Sequence, residues 1–306
     1  MSEKPPTWQI IAAYAIVYIV WGSTYYFIQL AVDEIPPALM GAVRFLLAGS
    51  IMLAWVAGKR EPIFEKTTIL RAFIGGVLLL FVGNGVVMYT EQFIPSAVVA
   101  IVVSATPIWF VLFDRPAWKV NLKSPLIILG TLVGFAGVVL LLRGDLPSRI
   151  NGYSIDLWAV SLLMLAPASW AIGSLFAKYY PGKASVSLTT AWQMLGAGFC
   201  FLLLFLGDGS MQQIDYQEIS LKAWLALLYL VIFGSIAGYS AYVWLLQVEP
   251  TSRASTYAYV NPIVAVLMGM LFAGETVGLN QWLGLAVILG SVLLINKQKY
   301  RSDVSN

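Results

Sequence analysis

The stretch "GNGVVMYTEQFIPSAVVAIVVSATP" at residues 83–107 has a counterpart in "GYSAYVWLLQVEPTSRASTYAYVNP" at residues 238–262. At a constant offset of 155 positions, three residues coincide without a gap: Gly83 with Gly238, Pro95 with Pro250, and Pro107 with Pro262. A chance match between hydrophobic sequences is the competing explanation. Prolines at one shared offset favour an internal repeat, because a proline inside an apolar helix marks a specific backbone position.

A second set of matches, at an offset of 149 positions, covers the start of each half: Trp21 with Trp170, Phe27 with Phe176, Ala48 with Ala197, and Gly49 with Gly198. Each half contains five predicted helices. Because five is odd, the second copy must enter the membrane from the opposite face. This arrangement is the inverted repeat of secondary transporters, which bind their solutes near the midplane between the repeats.

Composition places the chain in a bilayer, since 59% of its 306 residues are hydrophobic and only 11% are charged. Apolar runs long enough to cross about 30 Å of hydrocarbon occur at residues 9–32, 36–57, 69–90, 93–113, 125–142, 154–177, 187–206, 221–246, 252–272 and 279–296. The sequence therefore predicts an all-α membrane protein with ten transmembrane helices in a 5+5 inverted-topology repeat. The first repeat covers residues 9–142 and the second covers residues 154–296.

Several classes of protein are disfavoured because the reactive side chains they need are missing or scarce. Histidine is absent and Cys200 is the single cysteine, so neither a metal site nor an intrachain disulfide is expected. We expect no cofactor and no enzyme, because paired carboxylates and a G-x-S-x-G motif are missing. The net charge of +3 is too small to indicate a nucleic-acid partner. The first apolar run is too long for a signal peptide and is predicted to remain as a span.

Basic residues predict the orientation. With the N-terminus inside, 14 of the 18 Lys and Arg residues fall in cytoplasmic segments, Arg143, Arg149 and Lys222 fall outside, and Arg44 lies within a span. The positive-inside rule therefore predicts a multi-pass protein with both termini in the cytoplasm.

Four segments resemble a known family: "WGSTYYFIQLAV" (21–32), "PPALMGAVRFLLAG" (36–49), "GNGVVMYTEQFIPS" (83–96) and "TYAYVNPIVAVLMGMLFAGE" (256–275). They are similar to the EamA family of the drug/metabolite transporter superfamily, over about residues 10–296. The resemblance implies a ten-helix exporter of the inner (plasma) membrane, with a central cavity lined mainly by helices 1, 3, 4, 6, 8 and 9. Family substrates include amino acids, other metabolites and drugs, so the fold does not identify the ligand.

One segment departs from the family pattern. Helix 9 ends in the pair Gly274-Glu275, whereas the matching end of helix 4 reads "LFDRPAWKVN" (112–121), in which a cation follows Asp114. Whether the ends of helices 4 and 9 have equivalent structures is therefore left open.

Arg44 is a functional candidate because it lies about eight residues into helix 2, where a charge is costly unless it faces a cavity or a partner. The turn holding Glu91 lies on the same side, so Arg44 and Glu91 are predicted to pair as a gate or anchor. The alternatives are that Arg44 extends to the outer head groups and that Glu91 is a solvated turn residue. No Asp or Glu lies at a helix midpoint, so a facilitative mechanism is as compatible as proton coupling.

Helix 9 carries a polar face. Tyr257 and Asn261 lie four residues apart, and Pro262 frees a carbonyl one turn earlier for water or ligand. Thr106-Pro107 repeats this arrangement in helix 4. The prolines are predicted to kink both helices around a polar cavity at mid-membrane, and a packing kink satisfied by Asn261 itself is the alternative.

Trp21 and Trp170 occupy equivalent mid-helix positions among small residues. A buried indole needs a partner for its N–H, so both are predicted to face the cavity, with lipid-facing packing as the alternative. The complete predicted substrate-binding set is Trp21, Tyr25, Asn84, Tyr89, Thr106, Trp170, Tyr239, Tyr257 and Asn261. Tryptophans near span ends are predicted to form an interfacial belt: Trp8, Trp118, Trp158, Trp224 and Trp282.

Glycines in helices 5 and 10 resemble small-residue contact faces: Gly130, Gly134, Gly137, Gly284 and Gly290. They are predicted to associate helices, either within the chain or in a homodimer.

The leading functional hypothesis is a secondary transporter that exports small amphipathic metabolites or drugs, of amino-acid or aromatic type, by alternating access. The hairpins of helices 3–4 and 8–9 are expected to rock around the cavity. The expected partners are a small-molecule substrate and the lipid bilayer. A flippase for a lipid-linked solute is the alternative, and a groove open to the lipid would favour it.

Overall fold

The computed structural model describes residues 5–121, 123–143, 157–180, 182–212, 214–249, 257–274 and 277–304. Over these ranges the chain is helical and no strand is present, which confirms the predicted fold class. Its long helices are α1 (Thr7–Val32), α2 (Pro37–Gly58), α3 (Lys66–Thr90), α4 (Ser96–Phe113), α5 (Pro125–Arg143), α6 (Trp158–Tyr179), α7 (Val186–Gly207), α8 (Leu221–Val248), α9 (Tyr257–Phe272) and α10 (Leu279–Val304). Predicted features outside the described residues are Lys4, Arg149, Pro250, Arg253 and Glu275.

By length and composition, α1 to α4 and α6 to α8 can each cross a membrane. The apolar helical parts described for α5, α9 and α10 are shorter, 10–17 residues each. If consecutive helices alternate in direction across a membrane, the start of α1 and the end of α10 lie at one face of the bundle. We call this the terminal face and the other the opposite face. The five predicted belt tryptophans are all exposed.

The equivalent helices α2 and α7 pack against each other and run antiparallel. Gly41, near the start of α2, lies against Phe201, near the end of α7. Gly49, farther along α2, lies against Leu195, which comes earlier in α7. Two equivalent helices that cross in opposite directions are what an inverted repeat requires.

The fifth helix of each repeat behaves in the same way, because α5 and α10 also pack antiparallel. Gly134 lies against Ser291, and Gly137 lies against Ile288. These two predicted contact glycines therefore associate helices within the chain.

The first helix of each repeat packs against helices of the other repeat. α1 packs against α8 and α9, and α6 packs against α3 and α4. The first helix of each repeat thus inserts between the third and fourth helices of the other repeat, and the region between the repeats is built from both.

Irregular helical turns occur near the middle of the bundle. α3 is π-helical over Val77–Asn84 and α8 over Leu230–Tyr239, at positions equivalent under the 155-residue offset. α4 is interrupted directly before Thr106-Pro107, whereas α9 remains helical through Pro262. Wide turns and interruptions are tolerated at membrane depth where they line a polar cavity.

The end of α4 carries a buried acidic residue, whereas Glu275 at the matching end of α9 lies outside the described residues. Asp114, after α4, is 5% exposed; it accepts a hydrogen bond of 2.5 Å from the Tyr179 hydroxyl and lies 3.7 Å from Lys178 Nζ. After α9, Gly274 adopts a left-handed conformation with φ of 63°, as glycines that end helices commonly do. The acidic residue at the end of α4 therefore ties that helix to α6.

Gly49→Ala is expected to destabilise the protein. The added Cβ would lie 2.8 Å from Leu195 Cγ and 2.9 Å from the backbone nitrogen of Leu195, so α2 and α7 must separate. Overpacking of this kind typically costs about 1–3 kcal/mol. The matched control is Gly290→Ala in α10, where no atom lies within 4 Å of the added Cβ. Thermal unfolding of both variants in detergent measures the difference, and equal melting temperatures would contradict the close contact.

Candidate substrate site

A central cavity lies between the repeats and offers about 70 Å³ to the centres of water-sized molecules. That is room for roughly five waters. Its lining comprises Trp21, Thr24, Tyr25 and Ile28 of α1; Arg44 and Phe45 of α2; Leu80, Gly83, Asn84 and Val87 of α3; Val103 and Thr106 of α4; Ala166 and Trp170 of α6; Gly234, Ser235 and Tyr239 of α8; and Tyr257 and Asn261 of α9. Helices 1, 3, 4, 6, 8 and 9 contribute, as the resemblance implied, and α2 contributes as well.

Eight of the nine predicted binding residues line this cavity: Trp21, Tyr25, Asn84, Thr106, Trp170, Tyr239, Tyr257 and Asn261. Tyr89 lies elsewhere. Its side chain is 44% exposed, and its ring contacts Phe93 and Trp158 near the opposite face.

Four rings from both repeats form what we call the aromatic cluster: Trp21, Trp170, Tyr242 and Tyr257. The two tryptophans meet edge to face with ring centroids 5.4 Å apart, and Tyr242 contacts them at 4.9 and 5.5 Å. The alternative that these tryptophans pack only against lipid is therefore wrong. An apolar wall of this kind suits the body of an aromatic solute.

Hydrogen bonds fix the orientation of the cluster. Trp21 Nε1 donates to the carbonyl of Gly234 at 3.1 Å, and Trp170 Nε1 donates to the Tyr242 hydroxyl at 3.2 Å. The Ser174 hydroxyl lies 2.9 Å from the same Tyr242 oxygen. Both indole N–H groups are thus satisfied by protein atoms.

Arg44 lies in the interior, with only 3% of its surface exposed. Its Nε donates to Ser235 Oγ at 2.9 Å, and its Nη1 donates to Asn84 Oδ1 at 3.5 Å. Gly234 leaves room for the guanidinium, because a Cβ there would lie 3.0 Å from Arg44 Nη2. The alternative that Arg44 extends to the outer head groups is therefore wrong.

Glu91 is fully buried at the end of α3, so the alternative of a solvated turn residue is also wrong. The hydrogen bonds described for Arg44 go to Ser235 and Asn84, and the pairing of Arg44 with Glu91 as a gate or anchor stays a prediction.

The polar residues predicted on α4 and α9 are buried at the cavity. Asn261 is 4% exposed and Tyr257 is 7% exposed. Thr106 donates to the carbonyl of Val103 at 2.5 Å, across the interruption of α4. Gly22 permits a close approach of α1 to α9, because a Cβ there would lie 3.2 Å from the carbonyl oxygen of Asn261.

Sequence reasoning missed Ser235, Tyr242 and Gln193. Ser235, Tyr239 and Tyr242 are spaced by four and three residues, which places them on one face of α8. Gln193 occupies the position equivalent to Arg44 under the 149-residue offset, and it accepts a hydrogen bond of 2.9 Å from the Tyr239 hydroxyl. The helical spacing on α8 and the equivalence of Gln193 with Arg44 could both have been read from the sequence.

Two larger hollows flank the central cavity. The terminal vestibule, between α3, α6, α7 and α8, offers about 440 Å³ and includes Gln193 and Gln247 in its lining. The opposite vestibule, between the α1–α2 turn, α3, α6 and α7, offers about 670 Å³ and includes Gln92 and Phe201. Gln92 and Gln247 are equivalent under the 155-residue offset, so the vestibules are related by the repeat.

The walls between these hollows and the central cavity are thin. Towards the terminal vestibule, Gln193 lines the vestibule and binds Tyr239, which lines the cavity. Towards the opposite vestibule, the Phe201 ring stacks on Phe45, with centroids 5.9 Å apart. One hydrogen bond and one aromatic contact thus form part of the two walls.

Tyr242→Phe is expected to lower the free energy of unfolding by about 1–3 kcal/mol, because Trp170 Nε1 and Ser174 Oγ lose a buried partner. Tyr216→Phe is the matched control, since Tyr216 is 50% exposed. Chemical or thermal unfolding in detergent compares the two. The same stability for both variants would show that the Tyr242 hydroxyl does not hold the cluster together.

Comparisons with known proteins agree with this architecture. A model of the EamA-like transporter family matches residues 7–143 and 157–297. The chain is 34% identical over 292 residues to a protein of Escherichia coli (strain K12) named "Uncharacterized inner membrane transporter YedA", covering 95% of this chain and 92% of that protein. It is 26% identical over 302 residues to a "Probable amino-acid metabolite efflux pump" of Salmonella typhimurium (strain LT2), covering 94% of each.

A solved crystal structure shares the fold, with a TM-score of 0.66 at 15% identity, and covers 94% of this chain and 96% of that chain. The two antiparallel five-helix repeats around one cavity, together with these matches, show that the chain is a membrane transporter and belongs to the EamA-like transporter family of the drug/metabolite transporter superfamily.

Proposed function

We propose that this transporter exports small amphipathic or aromatic metabolites and drugs across the inner membrane by alternating access. The observation that carries the proposal is the cavity between the inverted repeats, flanked by one vestibule at each face. Secondary transporters with inverted repeats bind at this place and open it to each side in turn.

The lining suits a solute with one apolar part and a few polar groups. Three rings of the aromatic cluster, Trp21, Trp170 and Tyr257, supply the apolar wall. Hydrogen-bonding groups come from Asn84, Thr106, Ser235 and Asn261. The relative named as a probable amino-acid metabolite efflux pump supports a solute of amino-acid type. Enclosure by seven helices supports a small solute over a lipid-linked one.

Two equivalent polar contacts support alternating access. In the first repeat Arg44 contacts Asn84 at 3.5 Å, and in the second repeat Gln193 contacts Tyr239 at 2.9 Å. Arg44 is equivalent to Gln193, and Asn84 is equivalent to Tyr239. One contact is short and the other long, so the two repeats differ at an equivalent position, as a transporter that alternates between two states requires.

The basic residues support a cytoplasmic terminal face. By sequence position, 14 of the 18 Lys and Arg residues fall in loops of this face, in the first or last turns of the helices next to it, or near the chain ends. Under the positive-inside rule the terminal vestibule opens to the cytoplasm, and export proceeds from it towards the opposite vestibule.

Trp21→Ala and Asn261→Ala are expected to reduce the flux of phenylalanine, tryptophan or ethidium from proteoliposomes by about tenfold, since a lost contact of about 1.4 kcal/mol has that effect. The matched controls are Trp8→Ala, at a side chain 67% exposed, and Asn280→Ala at the start of α10. Unchanged flux in both cavity variants, at normal protein levels, would remove these residues from the site.

Cysteine accessibility tests alternating access and orientation together. Gln92→Cys and Gln247→Cys, each in a Cys200→Ser background, place one thiol in each vestibule at equivalent positions. In right-side-out vesicles, a membrane-impermeant thiol reagent is expected to label position 92 and to spare position 247.

Adding phenylalanine to purified protein is expected to change the two labelling rates in opposite directions, because opening one vestibule closes the other. Rates that rise or fall together would contradict alternating access. Labelling of position 247 alone in right-side-out vesicles would reverse the orientation.

A further inference from the structure

Arg44 is the only formally charged side chain among the described residues that line the central cavity. Its neighbours there are neutral: the Ser235 hydroxyl, the Asn84 amide and the Phe45 ring, whose centroid lies 4.9 Å from Arg44 Cζ. None of the described residues that line the cavity carries a carboxylate. The cavity wall therefore presents one cation that is held by neutral groups.

The guanidinium retains hydrogen-bonding capacity. It carries five N–H donors in a planar fork, and the described contacts use one on Nε and one on Nη1. The contact to Asn84, at 3.5 Å, is long for a hydrogen bond. A carboxylate matches the fork with two parallel hydrogen bonds, which are shorter and stronger than bonds to neutral acceptors.

Glu91 does not supply this anion in the cavity. Glu91 lies at the end of α3 and is not among the residues that line the cavity. Tyr25 lines the same cavity as Arg44. An anion next to Arg44 has to come with the solute.

We propose that the cavity selects solutes bearing a carboxylate, which Arg44 binds while the aromatic cluster receives the apolar part of the molecule. Ser235 and Asn84 are positioning residues that aim the guanidinium into the cavity. This inference rests on the proposed function and narrows its substrate class to amino acids and other amphipathic carboxylic acids.

Binding of two ligands of the same shape tests the proposal. 3-Phenylpropionate carries a carboxylate, and 3-phenylpropanamide replaces it with a neutral amide. Isothermal titration calorimetry on the purified full-length protein is expected to show the acid binding at least about tenfold more tightly, the range of a charge-assisted bidentate contact. Equal affinities, a preference for the amide, or no binding of the acid would overturn the proposal.

Variants then attribute the preference to Arg44. Arg44→Gln is expected to weaken binding of the acid at least about tenfold and to leave the amide nearly unchanged. Arg60→Gln removes the same charge from an exposed turn and is expected to preserve the preference. If Arg44→Gln weakens the acid and the amide equally, Arg44 is structural and the proposal fails.

Asn84→Asp keeps the test decisive if Arg44→Gln does not fold. It places a fixed carboxylate beside Arg44 Nη1, so the acid should lose its advantage while the amide still binds. A retained preference for the acid would contradict carboxylate binding by Arg44. Flux assays separate this proposal from the proposed function. Transport that does not discriminate between acid and amide would contradict only carboxylate binding by Arg44, whereas no flux of any solute would contradict the transport function.

Discussion

The close antiparallel contact between α2 and α7 is the constraint on which the rest of the structure depends. A Cβ on Gly198 would lie 2.8 Å from the backbone nitrogen of Leu46, so the two backbones touch at this point. In a bilayer, hydrophobic transfer gives little drive for helix association, and close packing through small residues has to supply it. The same contact fixes where Arg44 and Gln193 lie, because each is within two turns of the glycines that meet.

The repeat places equivalent positions on the two sides of the cavity, but the residues at those positions are not the same. Arg44 donates a hydrogen bond to Ser235 on α8. The residue equivalent to Ser235 on α3 is Leu80, whose side chain cannot accept a hydrogen bond. Gln193 instead accepts a hydrogen bond from Tyr239 of its own repeat. The two halves therefore share a backbone plan while their polar contacts differ, and the chain is asymmetric in the state described.

The fold followed from the sequence because hydropathy, paired prolines and an odd number of helices leave few arrangements in a membrane. The rotation of each helix about its axis was harder to predict. Tyr89 follows Asn84 by five residues, which turns it about 140° away from the cavity at about 100° per residue. Tyr242 follows Tyr239 by three residues and lies only about 60° away, so it still reaches Trp21 and Trp170 beside the cavity.

The hydrogen-bond partner of Arg44 was missed for a related reason. Loop topology brings Glu91 to the same end of the bundle, but it does not say which helix lies between two side chains. α8 packs against α2, so Ser235 reaches the guanidinium first. Reading α8 for polar residues at three- and four-residue spacing would have identified this partner, whereas loop charges alone could not.

The two contacts identified in the cavity walls contribute similar free energies of interaction. A neutral hydrogen bond such as Tyr239 to Gln193 contributes about 1 kcal/mol net. A stacked aromatic pair such as Phe45 and Phe201 contributes about 0.5–1.5 kcal/mol beyond its buried area. Under the proposed alternating access, a solute then needs a differential affinity of only a few kcal/mol to shift the population between the two openings.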